Sequence, residues 1–521
     1  MTVSRQSIRF GLIVAVAVAV PTVSGPVQRA GAQPPSASQL GTISFPTSAK
    51  PAAQAPFLTG TKALYNFEFD LAADAFRESQ KADPAFALAY WGEAMSYNHP
   101  LWAEQDQAAA RRVLERLAPT AAGRAAKAPA GKERDLVEAA DVLFGAGDKL
   151  TRDIGYAGAM GRMHARYPAD DEIACLYALS LLGTARAGEK STRNSMQAAA
   201  IVQDIFQRHP QHPGAAHYII HAFDDPDHAI LGLPAARAYS RIAPSAAHAL
   251  HMPSHIFVQL GLWDDVVASN VVAYKAANDL ADLKNLPRGR EDFHTLSWLQ
   301  YAYLQQGKFD EADTAVTTAK AVADKDTSPR VRDGYASMKA RQVVETAKWE
   351  KLALPNGPVK DGGAPGYDGS AAYVLAAGLG AAKLGDTATA NLALEKLKAM
   401  RVQAESGSNA YRAKPFAIME KEVGAALASA QKDTAAAERL LKDATAIELS
   451  LDAPSGPAEP IQPSFELYGD LLIELHRPAE AAAQFQQALQ RMPNRRASLR
   501  GLERASGQRP TTAGQPAGAS Q

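Results

Sequence analysis

The chain has 521 residues, 46% of them hydrophobic, enough to bury a large core. Its 55 basic and 55 acidic side chains balance, and no polybasic stripe or run of interleaved basic and aromatic residues occurs, which argues against nucleic acid as a partner. Cys175 is the single cysteine, so no intramolecular disulfide can form and stability has to come from packing.

At the start, Arg5 and Arg9 are basic, Phe10 to Val20 is apolar, and Ala30-Gly31-Ala32 offers small residues for cleavage. That pattern predicts a secretory signal peptide over residues 1–32 and export to the periplasm or beyond the cell. The apolar run is too short for a comfortable membrane span, and no Cys follows it to carry a lipid. Cleavage removes Arg5, Arg9 and Arg29 and no acid, leaving 52 − 55 = −3. Residues 33–56, rich in Pro, Ser and Ala, are expected to be a disordered linker, and 507–521 a disordered tail. No later segment is apolar enough to cross a membrane.

Between them, residues 57–506 are dominated by helix formers, with no Val/Ile/Thr-rich alternation to suggest a sheet. One pattern recurs: Phe69, Ala72, Phe76 and Pro84; Phe309, Ala312 and Val316; Gly378, Gly385, Ala390 and Leu394. Its clearest copy is the last, where Phe465, Tyr468, Gly469 and Leu472 are followed by His476-Arg-Pro478 and then by Ala481, Phe485, Ala488 and Pro493. Small residues let paired helices approach, aromatics fill the gap, and Pro ends the second helix. The signal weakens between Thr120 and Lys149, and the Gly/Pro-rich stretches 355–369 and 452–463 are expected to be loops. These units resemble the tetratricopeptide (TPR) superfamily from about Leu58 to about Ala505. The resemblance implies an all-α, helix-turn-helix solenoid, wound as a right-handed superhelix around a concave groove.

Eight of the 12 histidines fall within one stretch: His209, His212, His217, His221, His228, His248, His251 and His255. His217 to His251 is 251 − 217 = 34 residues and His221 to His255 is 255 − 221 = 34, the length of a TPR unit. Pro210 and Pro244 stand seven residues before His217 and His251, which fixes the same register independently. On a helix, His217, His221, Asp224 and Asp225 share one face, as do His248, His251 and His255 on the next. Ala216, Ile219, Ile220 and Phe223 occupy the opposite, core-facing side. In TPR proteins the remaining face of the first helix lines the groove, so the resemblance places these histidines there. The spacing to Gly307 sets His294 beside His248 and Tyr301 beside His255. Trp91, Asn98 and His99 lie on an upstream helical stripe, and Arg341 and Glu345, at i and i+4, extend the groove unless they merely pair with each other. Pro253 is expected to kink its helix.

Imidazoles and carboxylates without thiolates suit zinc, copper, iron or manganese. The expected ligands are His217, His221, His248, His251, His255, His294, Asp224 and Asp225. A polar groove without metal and a pH-sensing cluster are the competing readings of the same residues. Three strings, Ala89-Tyr-Trp91 through Trp102, His217-Tyr-Ile-Ile-His221-Ala-Phe-Asp224-Asp225-Pro226, and His248 through Phe257, resemble a group of exported bacterial TPR proteins. That resemblance implies fold and family rather than an activity. Two functions follow: a protein binding a protein, peptide or small ligand in a metal-bearing groove, or a metal-dependent hydrolase or oxygenase whose active site is the His/Asp cluster. No Gly-x-Ser-x-Gly, phosphate loop or nucleotide fingerprint is present, so no nucleotide is expected.

Overall fold

A short helix with one apolar stripe cannot bury that stripe alone, so successive helices of this chain fold back on one another in antiparallel pairs. The computed structural model describes residues 39–507 except 186–191, 286–291, 327, 355–368, 408–410 and 412. The signal peptide expected over 1–32, the tail expected beyond 507 and most of the loop expected over 355–369 therefore lie outside the described residues. The chain is an all-α, TPR-type helix-turn-helix solenoid. Among the described residues no helix is long and apolar enough to cross a membrane.

One turn generates the repeat. In pairs such as Pro51–Tyr65 with Phe69–Ala82, or Asp292–Gln305 with Phe309–Ala323, the turn residue has a positive φ. The next residue's N–H then bonds the carbonyl five residues back, as in Lys308 to Tyr303 and Arg477 to Leu472, a Schellman closure. The turn residues are Phe67, Gly261, Gly307, Gly385, Lys432 and His476. Packing across each pair follows the small-residue rule. A Cβ added at Gly469 would stand 2.6 Å from the Phe485 ring, so the aromatic fills a space only glycine leaves open.

Two expectations need correction. The linker expected over 33–56 is already folded where the structure describes it: Leu40 and Phe45 are buried, and a helix starts at Pro51. Pro and Ala, read as disorder, here serve as a helix start with Pro at its first position. The upstream stripe breaks after Met95, where the helix Ala87–Met95 ends. Pro100 disfavours helix at the preceding residue, and Asn98–His99 instead pairs antiparallel with Glu104–Gln105 in a minimal hairpin. The segment 452–463 is irregular, as expected.

Both ends of the solenoid return to its middle. From the N-terminal side, Thr42 N–H donates to Gln211 O at 2.9 Å and Tyr239 OH to Asn66 Oδ1 at 2.8 Å. From the C-terminal side, Trp263 Nε1 donates to Asn494 O at 2.9 Å and Arg496 N–H to Gln305 Oε1 at 2.9 Å. Gly261 sits under this contact, where an added Cβ would stand 2.5 Å from Pro493 O. The histidine-bearing hairpins are thus walled from both directions.

Glu422 is buried in the C-terminal half, and neither of its carboxylate oxygens has a partner. Burial, with Glu448 and Glu466 nearby, raises its pKa well above the usual carboxylate range. The folded form therefore keeps a proton that the unfolded chain releases near its ordinary pKa of about 4.3. Stability contributed below that pH is lost as pH rises, at about 1.4 kcal/mol per unit until Glu422 itself ionises. Glu422→Gln should therefore be more stable than the parent at pH 7.5, with the gap narrowing toward pH 5. Denaturant midpoints at the two pH values check this.

Candidate metal centre

The first-helix positions of three consecutive hairpins supply the site: Pro213–Ala222, Ala247–Gln259 and Asp292–Gln305. The middle one is broken into Ala247–His251 and Pro253–Gln259. Pro253 imposes that break, and Ser254 Oγ satisfies the His251 carbonyl at 2.7 Å. His212 caps the first helix by accepting from Ala215 N–H at 3.1 Å, a structural role.

The six histidines form two triads. His217 Nε2 lies 3.0 Å from His221 Nε2 and 3.1 Å from His248 Nε2. His251 Nε2 lies 2.9 Å from His294 Nε2, with His255 completing the second group. Within each triad, one ligand atom per residue lies within 4.8 Å of the others. A tetrahedral ion with nitrogens at about 2.0–2.1 Å sets those nitrogens about 3.3–3.4 Å apart, close to these separations.

The triads are copies of one another. Each takes two histidines four apart on one helix and a third from the next helix, three residues before the position equivalent to the first. Thus His248 precedes His251 by 251 − 248 = 3, and His294 precedes Ser297 by 297 − 294 = 3. This diagonal stagger corrects the expectation that His294 stands beside His248; it stands beside His251 and His255. Equivalent positions match side by side in sequence, but adjacent helices in the solenoid meet offset by one turn. Ser297 and Tyr301 occupy the third helix where His217 and His221 stand on the first, so the pattern ends there.

Fixed acceptors set the tautomers. His217 Nδ1 lies 2.7 Å from the Tyr65 carbonyl, His255 Nδ1 2.7 Å from Asp224 Oδ2, and His251 Nδ1 2.7 Å from Asn270 Oδ1. A carbonyl and a carboxylate only accept, and Asn270 Nδ2 is already committed to Val266 O, so each of these Nδ1 atoms carries the proton. Each Nε2 is left with its lone pair turned into the triad. Burial, offset in part by the Tyr65 carbonyl, lowers the His217 pKa to about 3. Burial first, and neighbouring imidazoles second, push His221, His248 and His251 well below the usual histidine range. Burial, then His255 and Arg330, brings His294 to about 3. Burial thus favours the neutral, lone-pair-bearing form of five of the six rings. His294 is nonetheless exposed, so solvent reaches the second triad there.

Each triad has one aromatic ring set against all three of its imidazoles. The Phe67 ring lies 4.4, 5.8 and 5.3 Å from those of His217, His221 and His248. Trp298 lies 5.1, 4.4 and 5.5 Å from His251, His255 and His294. Phe67 holds its place at φ 56°, in a turn where three of the six equivalents are glycine. A bulky side chain there is strained by about 1–2 kcal/mol, and its ring is what the triad gains. Trp102, 42% exposed, stands 6.0 Å from His248 at the rim.

The remaining expected residues fall elsewhere. The helix bearing His217 ends at Ala222, because Pro226 disfavours helix just before it, so Asp224 and Asp225 leave the shared face. Asp224 orients His255, while Asp225 bonds His228 Nδ1 at 2.8 Å; neither joins a triad. Trp91 is fully buried in the core. Asn98 is buried and accepts from Gln105 at 2.9 Å, and His99 stacks on Phe69 with centroids 4.0 Å apart. Tyr301 and Arg341 are buried, and Glu345 pairs with Arg495 at 2.6 Å rather than with Arg341. Arg341 Nη1 donates to Ser297 O at 3.3 Å. Sequence reasoning missed Tyr65, Phe67, Asn270 and Trp298. Of these only Phe67 left a trace, as a phenylalanine where the turn register calls for glycine.

No protein-family profile matches the chain, and no curated protein is significantly similar to it. Among solved structures it is similar to a chain of the APC/C hetero-tetramer Cut9–Hcn1 (13% identity, 87% of this chain and 76% of that one, TM-score 0.36). It is also similar to human IFIT1 in a dimer with PPP-AAAA (11%, 88% and 95%, TM-score 0.37) and to yeast Tom70 (12%, 88% and 89%, TM-score 0.31). Likenesses this distant carry no argument about function; the fold stands on the recurring turns and helix pairs.

Proposed function

We propose that this chain is an exported TPR-type protein whose function rests on transition-metal ions held by His217, His221 and His248 and by His251, His255 and His294. The observation that carries the reading is the convergence of three imidazoles in each triad, with His217, His251 and His255 each fixed from behind through Nδ1. A groove that merely needed polarity would spread its histidines toward solvent, whereas here His217 Nε2 faces two other imidazole nitrogens within 3.1 Å. One lone pair cannot satisfy both neighbours well; an ion satisfies all three. All-imidazole sets suit zinc, copper, nickel or iron. The signal-like start at residues 1–32 supports export to the periplasm or outside the cell.

A second reading, a metal-dependent hydrolase or oxygenase, is favoured by the ligand number. Three protein nitrogens leave a position open, as in catalytic rather than structural sites, and the exposure of His294 supplies an approach. The aromatic walls of Phe67, Trp102 and Trp298 suit a small-molecule ligand at the ions.

Metal content by mass spectrometry on the tag-free chain tests the proposal. About two equivalents of a transition metal are expected, falling to about one in His217→Ala or His251→Ala and to none in the double variant. Failure of the folded parent to retain any metal after reconstitution with zinc, copper, iron and manganese would refute it.

A further inference from the structure

The two triads are adjacent as well as equivalent. His221 of the first and His255 of the second have ring centroids 6.2 Å apart. That is less than the 6.4 Å between His221 and His248, which share a triad, or between His255 and His294, which share the other. The boundary between triads is thus no wider than the widest spacing inside each of them, and the six rings make one continuous array. Resting on the metal reading above, we infer that the two ions sit as neighbours in one dinuclear centre, bridged by a hydroxide drawn from solvent.

The need for a bridge follows from charge and ligand count. Imidazole ligands bring no negative charge, so they do nothing to reduce the repulsion between two dications separated by about the 3.5–4 Å of two-metal sites. Among the described residues, neither potential metal-binding group includes a carboxylate. Asp224, the acidic side chain bonded to a triad histidine, spends its Oδ2 on His255 Nδ1 and receives Gln259 Nε2 at 3.4 Å on its Oδ1. An anion shared by both ions therefore has to come from outside, and solvent reaches the array at His294. A water bound between two cations loses one proton to bulk solvent, since even one zinc ion lowers its pKa to about 7. The oxygen then occupies the open fourth position of each ion at once. The segment 454–456 closes the second triad, with Pro454 O accepting from Gln259 at 2.9 Å and Gly456 pressed on Trp298. Phe67 closes the first.

Copper(II) is the probe, because a hydroxide bridge couples two copper spins antiferromagnetically and silences their resonance. The full chain is loaded with copper(II), and bound copper and integrated spin are measured on the same sample. The expected result is about two coppers per chain with well under half the corresponding spin. His251→Ala/His294→Ala, which dismantles only the second triad, should bind about one copper with its full spin. Two coppers with full spin in the parent would overturn the bridge, and one copper shared by all six histidines would overturn the pair, each leaving the metal reading intact. A parent that binds no copper, zinc or iron would remove the metal reading itself and this inference with it.

Discussion

Arg495→Leu should destabilise the chain by about 3–5 kcal/mol, the range for removing one partner of a buried ion pair. Arg495 is 1% exposed and donates from Nε and Nη2 to both oxygens of Glu466, at 2.8 and 3.0 Å. Its Nη1 donates to Glu345 at 2.6 Å and to Tyr301 OH at 3.2 Å. Leucine would fill most of the volume while stranding two buried carboxylates, which is the expensive half of the exchange. Lysine keeps a charge but cannot span both carboxylates in a planar fork, so Arg495→Lys should fall between parent and Arg495→Leu. Denaturant midpoints at pH 8 measure both effects, and equal midpoints for parent and Arg495→Leu would contradict the geometry. Because Glu345 and Arg495 are 150 residues apart, the pair holds the returning C-terminal end against the middle of the solenoid, and loosening it should also weaken retention of the ions.

That long-range pair shows which parts of the molecule were legible in the sequence. Local chemistry was: aromatic and small residues at helical spacing gave the hairpins, and two intervals of 34 put His217, His221, His251 and His255 on equivalent positions. The offset between neighbouring helices was not, because sequence register aligns equivalent residues whereas packed helices meet one turn out of step. Hence sequence register pairs His294 with His248, whereas in the fold it meets His251. Asp225 looked like a ligand only if the helix continued into Asp-Pro, which proline disfavours. Glu345 looked available because its partner lies at the far end of the chain. Phe67 was overlooked because its strain is a backbone property, and a phenylalanine beside Phe69 reads as ordinary core.

Metal should stabilise the folded chain strongly and specifically. At free zinc about 1,000-fold above the dissociation constant, each occupied site adds about 4.1 kcal/mol if the unfolded chain binds little. The triads make that gain mechanical. An ion in the first joins helix Pro213–Ala222 to helix Ala247–His251, and one in the second joins the latter to helix Asp292–Gln305. Three hairpins that otherwise touch through side chains would be clamped in series. The thermal midpoint of chelator-treated protein should therefore rise with zinc concentration, keep rising past saturation as mass action requires, and fall back on adding chelator. His217→Ala should retain roughly half the response and His217→Ala/His251→Ala none. The double variant is the decisive control, since a folded protein whose midpoint still climbs with zinc would place the binding outside the histidine array. Hydrogen exchange should slow first in the three clamped helices and least in the hairpins beyond Thr387, because an ion stabilises directly only the elements it joins.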